Sequence, residues 1–139
     1  MDTIAAAMDA YVAAVLAKDP ARLAGLYAPT VRVFDAWGVW SYEGQAAWRA
    51  NLDAWLGSLG AESVAVRFDN VQIAEIGDAG VLSATIVYSA VDATGQVLRS
   101  MDNRLTWGLG RIDGHWLILH EHTSAPLDFD TMQGKLERG

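Results

Sequence analysis

The chain changes its hydrophobic period once, near Glu62, and that switch decides which folds are open to it. Before it, apolar side chains recur at helical spacing; after it they alternate with polar ones at the period of strands. A chain with helices first and strands afterwards builds an α+β fold, with the helices gathered on one side of an antiparallel sheet. Residues 2–18 read as a helix with Ile4, Met8, Tyr11, Val12, Val15 and Leu16 on one stripe. Tyr11 sits inside that stripe, so its hydroxyl needs an interior partner. Asp19-Pro20 restarts the chain as N-cap and first helical residue of a second, short helix. That helix buries Leu23, Leu26 and Tyr27, and Pro29 ends it. A third helix over 45–59 turns Trp48, Leu52, Trp55, Leu56 and Leu59 inward, with Gly57 and Gly60 marking its end.

Between the second and third helices lies Leu26–Gly44, LYAPTVRVFDAWGVWSYEG. It predicts a strand over 31–36 and a shorter one over 39–43. Val31, Val33 and Asp35 share one face of the first strand. If that face is the inner one, Asp35 is a carboxylate carried into an apolar interior, where its pKa rises and it becomes a candidate proton carrier. The alternative is an Asp at the strand end that turns outward and caps Trp37-Gly38.

After Glu62, Val64, Val66 and Phe68 alternate, and Val71 and Ile73 continue on the opposite parity. The change of parity predicts a bulge at Asp69-Asn70 that bends a long strand. Strands follow over Val81–Val91, Val97–Arg111 and Trp116–Ser124, joined by turns at 77–80, 92–96 and 112–114. A bent sheet wrapped over three helices makes a cone whose open end is a cavity for a small molecule. The whole reads as one domain over 1–126, followed by a tail, 127–139, that either docks as a short helix or frays.

The last hairpin assigns most of the remaining candidates. A three-residue turn at Ile112-Asp113-Gly114 pairs Trp107 with Leu119 and puts Trp107, Leu119, Glu121 and Thr123 on the inner face. His120, His122 and Arg104 then lie on the outer, convex face. A two-residue Asp113-Gly114 turn would shift this pairing.

Composition excludes several classes of function. Hydrophobic residues make up 52% of the 139, with six Trp, which excludes a disordered chain and leaves apolar surface for a pocket or an interface. The net charge of −7 without a Lys/Arg cluster excludes a surface that tracks phosphates and argues against anionic membranes. No cysteine is present, so disulfides, thiolate nucleophiles and Cys-ligated metals are ruled out. The N-terminus has no basic region of the secretory kind, and the longest charge-free apolar stretch, Ala79–Val91, is too short to span a bilayer. A cytoplasmic protein is expected. His120 and His122 stand at the i, i+2 spacing of a two-histidine metal site on a strand, but no third ligand accompanies them, so interface histidines are expected and no metal.

With these residues in place, the chain resembles the cone-shaped fold shared by nuclear transport factor two, ketosteroid isomerase, SnoaL-like polyketide cyclases and the calcium/calmodulin-dependent kinase association domain (a cystatin-like fold). Leu26–Gly44 is similar to the YADDATVEDPxGxxxxxG run of ketosteroid isomerases. Residues 104–126, RLTWGLGRIDGHWLILHEHTSAP, look like the closing hairpin of SnoaL-like proteins. The resemblance implies Asp35 as proton-transfer base and Tyr11 as hydrogen-bond donor to a carbonyl oxygen. At the position of the third catalytic group, an acid, stands Trp107; Glu121 on the neighbouring strand is the substitute donor if protonated.

The expectation is therefore a cofactor-free isomerase or cyclase acting on a hydrophobic carbonyl compound. Asp35, Tyr11 and Glu121 are its catalytic candidates, and Trp37, Trp40, Trp48, Trp55, Trp107, Leu119 and Thr123 its substrate-binding ones. Its partners are a small apolar or aromatic ligand and a second copy of the chain across the convex sheet face, not nucleic acid or membrane. The alternative is a non-catalytic ligand-binding or assembly domain of the same fold. A metal-dependent hydrolase or oxygenase rests on the histidines alone.

Overall fold

A computed structural model describes residues 2–138. Helix α1 spans Ile4–Leu16 and begins where Thr3 accepts a hydrogen bond from the Ala6 N–H. Its buried face is Ile4, Ala7, Ala10, Tyr11, Ala14 and Val15, so alanines fill half the stripe, and Leu16 is exposed. Helix α2, Pro20–Ala24, starts at the Asp19 cap as expected.

Strand β1, Tyr27–Phe34, begins earlier than the sequence suggests, because Pro29 lies inside it instead of ending a helix. Proline is tolerated there since regular pairing is broken between Tyr27 and Arg32. Strand β2 is only Tyr42–Glu43, and helix α3 is Gln45–Gly57. Four long strands follow: β3 Ser63–Ile76, β4 Ala79–Val91, β5 Val97–Ile112 and β6 His115–Ser124.

The six strands lie in the order β2-β1-β6-β5-β4-β3. Every pair is antiparallel except β1 and β6, which run parallel. The sheet is therefore mixed, and β6, the last strand, occupies its middle. The expected bulge is in β3: pairing with β4 shifts between Asp69 and Gln72, and Asn70 takes φ 53°. The sheet curves around the helices, with α1 against β3 and β6 and α3 against β1. A Cβ on Gly80 would stand 2.7 Å from Ile4 Cδ1, so a larger residue there would displace the tip of the Ile4 side chain.

The last hairpin departs from the sequence reading twice. Its turn is the two-residue Asp113-Gly114, with φ 52° and 80°, so Ile112 faces His115 and Arg111 faces Trp116. This primed turn suits the twist of the strands it joins better than a longer one. Trp116 and Ile118 consequently point into the core in place of Leu117 and Leu119. A bulge between Gly108 and Leu109 then shifts the pairing again, and Trp107 faces Glu121 instead of Leu119. The second shift restores the first parity, so Glu121 and Thr123 point inward as expected.

The tail forms no helix. Leu127 bridges to Gly134, and the Leu136 carbonyl accepts from the Asp102 N–H at 2.7 Å, on the edge of β5 that β6 leaves unpaired. Arg138 fastens it, donating to Asp102 at 2.8 Å and to Asp69 at 2.9 Å.

The bulge yields a first prediction. Asn70→Gly should leave stability within about 0.5 kcal/mol, while Asn70→Val should cost about 1–2 kcal/mol, because a β-branched residue resists a left-handed backbone. Urea unfolding of the two variants measures the difference.

Candidate functional site

Between the concave face of the sheet, α1, α3 and the tail lies a cavity of about 540 Å³. That volume suits a bicyclic or tricyclic organic molecule. Three polar groups stand on its wall, each delivered by a different element.

Asp35 follows β1 directly, two residues beyond the fully buried Val33 and on the same inner parity. It is partly buried and lines the cavity. Thr123 donates to its Oδ1 at 3.0 Å, and the Thr123 hydroxyl in turn accepts from the Ala36 N–H at 2.9 Å. The threonine is thus held in one orientation, its single hydrogen aimed at the carboxylate. Burial raises the Asp35 pKa; the Thr123 hydroxyl and the backbone N–H groups of Trp37 and Ala36 pull it back. Asp35 thus faces inward and does not turn outward, although the N–H groups of the following turn bear on it.

Glu121 is fully buried at the centre of β6. Its Oε1 accepts two hydrogen bonds, from the Tyr27 hydroxyl at 2.6 Å and from Trp107 Nε1 at 2.9 Å. No hydrogen bond reaches Oε2 among the described residues, and Glu121 borders the cavity. Burial pushes its pKa up to about 7, against the pull of the two donors and with a further push from the Asp35 charge.

Tyr11 Oη lies 2.9 Å from Tyr88 Oη. Neither hydroxyl bonds a carboxylate, and burial raises both phenols well above their ordinary range. Tyr11 and Asp35 border the same cavity without a direct hydrogen bond.

The sequence missed Tyr27 and Tyr88. Tyr27 looked like a residue of α2 because Pro29 concealed the start of β1. Gln45 locks the strand there, donating to the Tyr27 carbonyl at 2.9 Å. Burial, and then the neighbouring Glu121, raise the Tyr27 phenol; the nearby Trp48 N–H offsets this in part. Tyr88 was legible, since it continues the inward parity of Leu82 and Ile86 along β4. Asn103 and Arg99 on β5 also line the cavity and were not singled out for it.

The aromatic wall is smaller than expected. Trp37, Trp48 and Trp55 line the cavity. Trp40 does not: its side chain is 94% exposed in the loop before the two-residue β2, which is too short to hold it inward. Trp107 is fully buried behind Glu121 and supports that carboxyl instead of forming the wall. Leu119 is on the outer face, 40% exposed, where the bulge places it against Gly110. Thr123 serves the site through Asp35 and does not line this cavity.

On the outer face, Phe34 packs edge-on against His120 and His122, at 5.0 and 5.5 Å between ring centres. His120 Nδ1 lies 2.7 Å from the Arg32 carbonyl oxygen, and Arg104 donates to Ser124 at 3.1 Å. Among the described residues, no three His, Cys, Asp or Glu side chains gather as a metal site. No helix among them is long and apolar enough to cross a membrane.

A curved sheet closing over helices around a polar-based cavity defines the class: a cone of the kind seen in nuclear transport factor 2-like and cystatin-like proteins. The family profile described as SnoaL-like domain matches residues 4–128, and the chain belongs to that family. Among solved structures, a nuclear transport factor 2-like protein of unknown function from Pseudomonas putida KT2440 superposes with a TM-score of 0.85 at 21% identity, covering 98% of this chain and 93% of its own. A nuclear transport factor 2-like superfamily protein from Salmonella enterica gives 0.74 at 20% identity over 95% and 94%. An uncharacterised protein with a cystatin-like fold from Caulobacter vibrioides gives 0.73 at 20% identity over 94% and 91%. At these identities the likeness is one of fold. No curated protein matches the chain.

The raised Glu121 pKa links the site to stability. The unfolded chain loses this proton near pH 4.5, while the folded one keeps it to about pH 7. Folding is therefore favoured most below pH 4.5, and the contribution is lost as pH rises through about 7, on the order of 3 kcal/mol in all. The carboxylates with the opposite sign, Glu43, Asp69, Asp92 and Asp102, lose their contribution as pH falls below the ordinary carboxylate range, outside that window; Asp69 is held near 2 by Arg67 and Arg138. Glu121→Gln keeps an acceptor for Tyr27 and Trp107 without the charge. Its melting temperature should vary less than that of the native protein between pH 5 and 8, and exceed it at pH 8.

Proposed function

We propose that this protein is a cofactor-free enzyme that moves a proton beside the carbonyl group of a small hydrophobic compound, in an isomerisation, cyclisation or dehydration. One observation carries the reading: two carboxyl groups border one aromatic cavity with different hydrogen-bond partners, although burial raises the pKa of both. Asp35 is met by a hydroxyl and backbone N–H groups, which offset burial and support an anion. Glu121 lies fully in the core with one oxygen bonded, and burial raises it to about 7. Two carboxyl groups in unlike surroundings of this kind can divide acid and base roles.

In the proposed reaction the Asp35 carboxylate removes a proton from the carbon next to the carbonyl. The C–H electron pair moves into the carbonyl system, and the oxygen becomes enolic. Glu121, with Oε1 tied down by Tyr27 and Trp107, presents its proton on Oε2 to that oxygen. Asp35 then returns its proton to another carbon of the conjugated enol, which moves the double bond, or the enol carbon attacks a second carbonyl of the same molecule, whose oxygen takes the proton from Asp35 as the ring closes; in either case the first carbonyl re-forms and its proton goes back to Glu121. Trp37, Trp48 and Trp55 flank the substrate and keep water away. Tyr11 and Tyr88 add a neutral polar pair to the wall that stays protonated across the working pH range.

The alternative, a ligand-binding domain without chemistry, would use the same cavity. A thermal-shift screen of hydrophobic ketones finds ligands of the folded state. Deuterium exchange next to the carbonyl of a hit, followed by NMR, then separates the readings. The native protein should accelerate exchange and Asp35→Asn should lose about 10²–10⁴-fold of that rate. Unchanged exchange in Asp35→Asn would remove Asp35 as the base, and a bound ketone that never exchanges would favour the binding domain.

A further inference from the structure

The tail runs along the cavity, and burial of its own side chains does not explain what keeps it there. Leu127, Phe129 and Met132 are exposed, at 63%, 92% and 69%. The segment is instead a loop bonded to itself. The Lys135 N–H donates to the Pro126 carbonyl at 2.8 Å and the Asp128 N–H to the Gln133 carbonyl at 2.7 Å. The Asp128 carboxylate accepts from the N–H groups of Asp130 and Thr131. Bonds that close within the loop let 126–135 move as one piece.

Only the last described residues tie that piece to the long strands. The Leu136 carbonyl accepts from the Asp102 N–H, and Arg138 donates from Nε to Asp102 and from Nη2 to Asp69. These ion pairs are partly exposed, a setting in which they hold weakly and respond to salt. Asp69 also accepts from Arg67, so the release of Arg138 leaves it with a partner. The latch lies beyond residues 4–128, the part that the family profile matches.

Between loop and latch stands Leu136. It alone among residues 127–138 lines the central cavity. Together with Trp37 it also borders a second, smaller space of about 370 Å³ beside the tail. The two side chains therefore form the partition between the spaces.

We propose that residues 126–138 are a strap that gates the cavity: Leu136 and Trp37 shut the passage between the two spaces, and release of Arg138 from Asp69 and Asp102 opens it to a small apolar molecule. A lid must open for its ligand to pass, and lids are drawn from the weakly held parts of a fold. The strap meets this condition, because a few polar contacts fasten it to a sheet that is itself bonded along every strand. The inference deepens the reading above and rests on it for a ligand in the cavity, but not for proton chemistry there.

Two measurements on the full chain test it. In hydrogen exchange followed by NMR, the Asp102 amide should exchange faster than the β5 amides that bond β4. Arg138→Ala should speed Asp102 about tenfold and leave those amides unchanged. Raising salt from about 0.02 to about 0.5 M should speed Asp102 in the native protein and not in Arg138→Ala. In stopped-flow fluorescence the probe is 6-propionyl-2-dimethylaminonaphthalene, a neutral ketone whose emission shifts in apolar surroundings. Arg138→Ala should raise its association and dissociation rates alike, by about tenfold, because the latch touches no ligand. An Asp102 amide that opens only with the rest of β5, probe rates that Arg138→Ala leaves unchanged, or a probe that enters neither protein would overturn the strap. A gated probe whose protons never exchange would sink the catalytic reading alone, and proton exchange with ungated rates would sink this one alone.

Discussion

The structure depends on how a carboxyl group survives in its core. Glu121 sits on the central strand, and two donors meet on a single one of its oxygens: Tyr27 from β1 and Trp107 from β5. The bonds stitch together the three strands that meet at the parallel join of the sheet. An apolar side chain of similar volume would fill the same space without needing either donor. Supplying two aromatic donors to one acid, and leaving its second oxygen beside a cavity, is an arrangement with chemical use and little structural need.

The rest of the polar wall is arranged around that acid. Asp35 and Thr123 lie one step further along the same parallel pair of strands, and the Asp35 charge adds to the rise of the Glu121 pKa. If Glu121 is neutral, Asp35 can carry its charge with the support of a fixed hydroxyl and backbone N–H groups. If both were ionised, two negative charges would border one cavity, and like charges near each other disfavour ionisation. The Tyr11–Tyr88 pair satisfies two hydroxyls by joining them to each other. Neither phenol therefore draws on the carboxylates.

Much of this was legible in the sequence, and the failures have identifiable causes. The period switch at Glu62, the cap at Asp19 and the bulge at Asp69-Asn70 are local signals, and they were readable because each follows from a few neighbouring residues. Asp35 stood out as the one acid in an apolar strand. Tyr27 was missed because Pro29 reads as a helix stop, and only the irregular pairing of β1 with β6 makes room for it within a strand. Trp40 and Leu119 were misplaced for a different reason. Their directions depend on the length of β2 and on a bulge at Leu119 in β6, which are set by neighbours distant in sequence. Glu121 was placed correctly by an argument with two errors: the turn is one residue shorter than assumed, and the bulge restores the parity.

The resemblance to ketosteroid isomerases puts an acid at the position of Trp107, and this chain has none there. The acid is on the residue that faces Trp107 across the strand pair, while the indole has become its donor. Two side chains opposite each other in a sheet reach the same volume of cavity, so an acidic proton can be delivered from either strand. What the chemistry requires is a proton at a point in space, held by a second group that fixes its direction. A column-by-column match reads the loss of the acid as a loss of activity. The cross-strand pair reads it as an exchange of places, and on the proposed reading this is why the cavity keeps an acid, a base and an aromatic wall although one aligned position holds tryptophan.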